Sequence, residues 1–162
     1  MRWLVTCLLA LALAGCAEEG VRESGDDVGA VPAAAEGWPT GEVVLSGPDG
    51  GEVRTRVWIA DEPDRRERGF QGWSHVPEGW ALLFVFPSEH DGGFWMRDVA
   101  FPLDIVFIDE TSAVTHVEVM DTCEDDCPVH RPDDPYVAAL EAPEGVFTGA
   151  GVAPGWEAEI SE

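Results

Sequence analysis

The chain predicts a mainly β fold, a compact antiparallel β-sandwich or small barrel carrying one short helix. Three observations point there. Apolar residues recur with a period of two or in short unbroken runs. Clusters of Gly, Pro and Asp interrupt those runs at short intervals, as turns between strands do. Only one stretch carries the punctuation of a helix.

The elements follow in order. Segments 42–46 and 52–60 flank Gly47-Pro48-Asp49-Gly50-Gly51, a strong hairpin signal. In the second segment Val53, Thr55, Val57 and Ile59 alternate with Arg54, Arg56 and Trp58, which predicts one core face and one wet face. Pro63 opens a short polar helix, with Asp61 or Glu62 at its start and Gly69 or Gly72 as its stop. The continuous apolar run Ala81-Leu82-Leu83-Phe84-Val85-Phe86 fits a strand covered on both faces. Strands are expected at 93–97, 103–109 and 114–119, the last after a turn at 109–112, and at 136–141 and 156–160. There is no internal repeat.

The amino terminus has a different character. One positive charge, Arg2, precedes an apolar run over 3–14, long enough for a signal-peptide core and too short to span a bilayer. Leu13-Ala14-Gly15-Cys16 then resembles the lipobox of bacterial lipoproteins. That resemblance implies cleavage before Cys16 and acylation of its thiol and new amino terminus. Two or more acyl chains, at about 0.8 kcal/mol per buried methylene, hold a protein on a membrane almost permanently. The expected organisation is a signal peptide over 1–15, lipidated Cys16 with an acidic tether to residue 41, and one β domain over 42–162. The tether follows from its small and acidic residues, which bury too little surface to order themselves, and 25 such residues span roughly 25–30 Å. The expected place is the cell envelope, facing the periplasm or exterior.

Charge limits the partners. The chain holds 32 acidic residues against nine arginines and no lysine. Over 42–162 there are 26 acids and seven arginines, a net of -19. Such a surface repels phosphate backbones, which excludes nucleic acid as a partner. It also argues against electrostatic attachment to anionic lipid, leaving the acyl chains as the membrane contact. A solvated exterior, adaptation to high salt and cation binding all fit this acidity.

The most distinctive stretch is Phe94-Trp95-Met96-Arg97 followed by Phe101-Pro102-Leu103-Asp104-Ile105-Val106-Phe107-Ile108-Asp109. With Arg66, Gly69, Phe70 and Gly72, the run Leu83-Phe84-Val85-Phe86, and the late pieces Tyr136-Val137 and Ala142-Pro143-Glu144-Gly145, it resembles the domain of unknown function 192 family over about residues 53–160. The resemblance implies an all-β fold, often exported and sometimes lipid-linked, and brings no established activity. Arg65, Gln71 and Asp98-Val99 depart from the family pattern, which has glutamate, methionine and Asn-Thr there.

Asp104 interrupts an apolar strand, and a buried carboxylate must be paired or hydrogen-bonded. Arg66 and Arg97 are its expected partners, since a guanidinium can hold a carboxylate through two bonds. One reading is an internal ion pair pinning the helix to the sheet. The other is a pocket for a small polar or anionic ligand lined by Arg66, Trp95, Arg97 and Asp104. Trp58, Trp73, Trp80 and Trp156 read as core or rim residues, with a sugar platform as the alternative.

Cys7 lies in the leader and Cys16 at the lipobox, leaving Cys123 and Cys127 in an oxidising compartment, where a disulfide is expected. The competing reading joins them to His130, and to His116, as a zinc or copper site, which would make the chain a small envelope enzyme or metal carrier. Asp121, Glu124, Asp125, Asp126, Asp133 and Asp134 form a solvated acidic loop without the spacing of a calcium loop. Ser74-His75 and Ser88-Glu89-His90-Asp91 have the residue types of a nucleophilic site, but no elbow motif accompanies them. No catalytic residue, cofactor or metal is assigned. The expected role is a binding or interaction module for a small polar ligand or an envelope partner.

Overall fold

The computed structural model describes residues 33–162. Cys7, the signal peptide, the lipobox with Cys16 and the first part of the expected tether lie outside the described residues. Folded structure starts earlier than residue 42. A 3-10 turn at Ala33–Ala35 buries Ala35, and Trp38 packs beside it against the domain.

Seven strands follow: β1 (Thr40–Ser46), β2 (Glu52–Ala60), β3 (Trp80–His90), β4 (Leu103–Ile108), β5 (Val114–Met120), β6 (Tyr136–Pro143) and β7 (Glu157–Ser161). They form one sheet in the order β5-β4-β6-β3-β2-β1-β7. Helix α1 (Pro63–Arg68) lies between β2 and β3. The β1–β2 hairpin closes where expected, with Gly50 at φ 82° in its turn. A Cβ at Gly47 would sit 2.6 Å from the Trp156 ring, so that tryptophan seats directly on the turn.

Every neighbouring pair in the sheet is antiparallel except β2 and β3, which are parallel. The 61–79 connection is long enough to cross over and contains α1, which is what a parallel pair requires. The two edges approach each other: Val114 N–H donates to Trp156 O at 2.8 Å, and Ala158 N–H to Ser112 O at 2.8 Å. The sheet is therefore a curled half-barrel, in agreement with the expected sandwich or small barrel.

Each face has its own core. Val43, Leu45, Val57, Leu83, Val106, Leu140 and Phe147 belong to the inner cluster, to which all seven strands contribute. Such convergence requires the sheet to curl over that face. On the outer face Trp58, Phe70, Leu82, Phe84, Ile105, Phe107 and Tyr136 pack beneath α1 and the loops that follow it. The unbroken apolar run in β3 follows from this double coverage.

Trp58 decides between two readings of the sequence, the wet face of β2 and a core or rim tryptophan, in favour of the core. Alternation along β2 predicts a wet face for it, yet it is 1 % exposed, stacked on Trp80 at 4.2 Å and edge-on to Trp73 at 5.1 Å. The 69–80 chain folds over β2 and converts that face into core. The expected strand at 93–97 is also absent; Phe94 makes only an isolated bridge with His130.

Candidate functional site

Helix α1 ends at Gly69, whose φ of 48° and N–H bond to Arg65 O turn the chain inward and bury Phe70. The last turn directs Arg66 at β3. Its Nη1 donates to Val85 O at 2.9 Å and to Asp61 O, and its guanidinium lies 5.4 Å above the Phe86 ring. Beyond Val85 the pairing of β3 with β6 shifts register before His90 meets Tyr136. That irregularity stacks His90 on Phe86 at 4.3 Å and brings Tyr136 edge-on to both. The Tyr136 hydroxyl donates to Gly92 O at 3.0 Å, and burial, with Asp91 nearby, pushes its pKa above the ordinary range.

These elements enclose a half-open cavity of about 230 Å³. Its walls include Arg66, Phe70, Phe86, Trp95, Tyr136 and Glu141. Glu141 is the surprising member. It is 5 % exposed, in register between Leu82 and Ile105, on the outer-core face of β6. Among the described residues no side chain or backbone N–H donates to its carboxyl group. Burial raises its pKa to about 8, so the acid is mostly protonated at neutral pH.

Of the four pocket residues expected from sequence, the structure brings Arg66 and Trp95 to the cavity. Arg97 is exposed and stands 5.4 Å over Trp95, outside the lining. Asp104 is not part of the site. It is fully buried and shares the inner face of β4 with Val106 and Ile108. Its Oδ2 accepts N–H bonds from Phe147 at 2.8 Å and Thr148 at 2.9 Å, and Thr148 Oγ1 donates to Oδ1 at 2.9 Å. The expected ion pair with Arg66 or Arg97 is thus replaced by hydrogen bonds from the turn after β6. A turn with free N–H groups solves the same burial problem without a second charge.

Sequence reasoning overlooked Glu141, although the signal resembled that of Asp104: an acid within Val137-Ala138-Ala139-Leu140-Glu141-Ala142. Two of the departures from the family pattern, Gln71 and Val99, also line the cavity.

Cys123 and Cys127 are joined in a disulfide with Cα atoms 5.3 Å apart. Their sulfurs are bonded to each other instead of presenting thiolates beside His130. His130 Nδ1 instead lies 3.1 Å from Glu118 Oε2, while His116 lies 3.6 Å from the same carboxylate. Among the described residues no three His, Cys, Asp or Glu side chains converge on a common metal position. Ser74 Oγ is 3.1 Å from His75 Nδ1, an exposed contact between sequence neighbours. The Trp58, Trp73 and Trp80 rings are packed together in or beside the outer core and offer no open sugar platform.

The family model for DUF192, described as an uncharacterized ACR, matches residues 45–160. The chain belongs to this family. Its cavity-lining residues all fall within that match. No curated protein matches the chain. Among solved structures it is similar to a proposed transcription regulator from Sinorhizobium meliloti, with a TM-score of 0.70 and 23 % identity over 82 % of this chain and 98 % of that one. It is also similar to a protein of unknown function from Novosphingobium aromaticivorans, with a TM-score of 0.67 and 22 % identity over 81 % and 99 % of the two chains. At these identities the likeness concerns the fold.

Proposed function

We propose that the chain is a lipid-anchored binding module of the cell envelope that holds a small polar ligand in the aromatic cavity beside α1. The supporting observation is the cavity itself: an apolar, ring-walled cleft with one buried carboxyl group that has no partner among the described residues. Small-molecule sites characteristically combine apolar walls with a few placed polar groups. The volume near 230 Å³ suits a compact ligand.

The lipobox-like Leu13-Ala14-Gly15-Cys16 supports anchoring through Cys16, and the acidity supports acyl chains over charge as the membrane contact. Regulation of transcription, named for the Sinorhizobium relative, fits this chain poorly. A net of -19 over 42–162 repels phosphate backbones.

Two measurements test the reading. Thermal melting of the protein across a metabolite library should give ligand-induced stabilisation that Trp95→Ala diminishes; a library that never shifts the melt removes the binding role. Mass spectrometry of material from the native host should find acyl chains on Cys16 and none in Cys16→Ser, and unmodified protein released into the medium would end the anchoring claim.

A further inference from the structure

Glu141 and Asp104 are both acids buried in apolar strands, yet among the described residues only Asp104 has donors built around it. The Glu141 oxygens are not among the sealed, unpartnered polar atoms of the described residues, so its carboxyl group opens onto the cavity and a guest there can supply the donors the protein does not. The surrounding wall narrows what that partner is. Phe70, Phe84, Phe86, Phe94 and Tyr136 border the same cavity, and aromatic faces attract cations. The protein already rests one cation there, the Arg66 guanidinium over Phe86, held by two backbone carbonyls. The net charge of -19 over 42–162 raises the concentration of cations around the protein as a whole.

We infer that the pocket takes a small organic ammonium ion, its N–H groups donating to the Glu141 carboxylate and its hydrocarbon part lying on the aromatic wall. This rests on the reading of the cavity as a ligand site and names the class of ligand. The other ionisable groups facing the cavity are Arg66, Glu67 and Arg68 from α1, His90 from β3 and Tyr136 from β6, with Asp91 near Tyr136. Arg66 is already held by Asp61 O and Val85 O over the Phe86 ring, so the ammonium head is assigned to the Glu141 carboxylate. On binding, a protonated Glu141 gives its proton to solvent and the ammonium ion takes its place.

Three probes of similar size, n-butylammonium, n-butanol and butyrate, titrated into the full chain and followed by NMR, separate the possibilities. The expected result is binding of n-butylammonium that tightens at least about tenfold from about pH 6.5 to about pH 8.5, as Glu141 ionises. Glu141→Gln, nearly equal in size, should weaken that binding by at least about tenfold and remove its pH dependence. Tighter binding of n-butanol, weakening as pH rises, would make Glu141 a donor to a neutral ligand and overturn the ammonium assignment. Preference for butyrate would move recognition to Arg66 and Arg68 and overturn it as well. In both cases the cavity remains a ligand site. Binding of none of the three also overturns the assignment, and the ligand-site reading is then decided separately by the library melts with Trp95→Ala. The wild-type pH series carries the test even if the variant folds poorly.

Discussion

Asp104 and Glu141 show how acids placed in similar apolar strands serve two ends. Asp104 receives two backbone N–H groups and the Thr148 hydroxyl, which ties the 147–148 turn to β4. Asp104→Ala strands those N–H groups in the core and should cost about 3 kcal/mol in denaturant melts, with little change in pocket binding. Glu141 behaves oppositely. Folded, it keeps its proton to about pH 8, whereas an unfolded carboxyl group releases it near its ordinary value of 4.5. Between those limits the folded chain binds more protons, so this group's contribution is full below about pH 4.5 and is lost as pH rises through about 8. Glu141→Gln should flatten that decline and make the variant the more stable form at about pH 9. The difference should be on the order of a few kcal/mol, at about 1.4 kcal/mol per tenfold change in proton affinity, read from urea melts at several pH values. Both acids stand out as anomalies in the sequence. Which of them had donors was not legible there, because the donors to Asp104 come from 43 and 44 residues away.

At the scale of elements, the cavity depends on segments without regular structure. The 93–97 stretch reads as a strand from its aromatic residues, but only Phe94 bridges, to His130, with both N–H···O distances at 2.8 Å. The disulfide between Cys123 and Cys127 shortens the loop that delivers His130, and a five-residue ring contributes about 2 kcal/mol through chain entropy. Gly93 lets the two segments meet. A Cβ there would lie 2.8 Å from His130 O and closer still to Val129 Cγ1. Gly93→Ala should therefore destabilise the fold by about 1–3 kcal/mol. It should also weaken any ligand, since Phe94 is part of the cavity wall; a thermal melt with and without ligand checks both. The helix, the β1–β2 hairpin and the doubly buried β3 were legible from local punctuation and apolar runs. Alternation along β2 placed Trp58 on a wet face against its reading as a core or rim residue, because strand periodicity does not reveal that a later loop will cover the alternate face.

For the whole molecule, charge dominates outside the core. Seven arginines face 26 acids over 42–162, and ion pairs such as Arg65 with Asp61 at 2.6 Å lie at or near the surface. Surface pairs of that kind contribute little, about 0–1 kcal/mol each. Mutual repulsion of the remaining acids opposes folding and is screened by salt, whose Debye length falls to about 3 Å at about 1 M. The melting temperature should rise by a few degrees between low salt and about 1 M sodium chloride. A flat response would leave the acidity as a solvated exterior without cost to the fold.

The order of apolar and turn residues determined on its own that this chain makes a mainly β domain, because alternation, runs and turns are local properties; membership of the DUF192 family rests on the motif residues and the match over residues 45–160. The acid count likewise set the exterior's charge. Tertiary structure decided the parallel β2–β3 crossover, the covered outer face, the satisfied Asp104 and the placing of Glu141, without a donor among the described residues, in an aromatic cavity. Those features depend on which distant segments meet, and a carboxyl group's environment is made by its neighbours in space, not by those beside it along the chain.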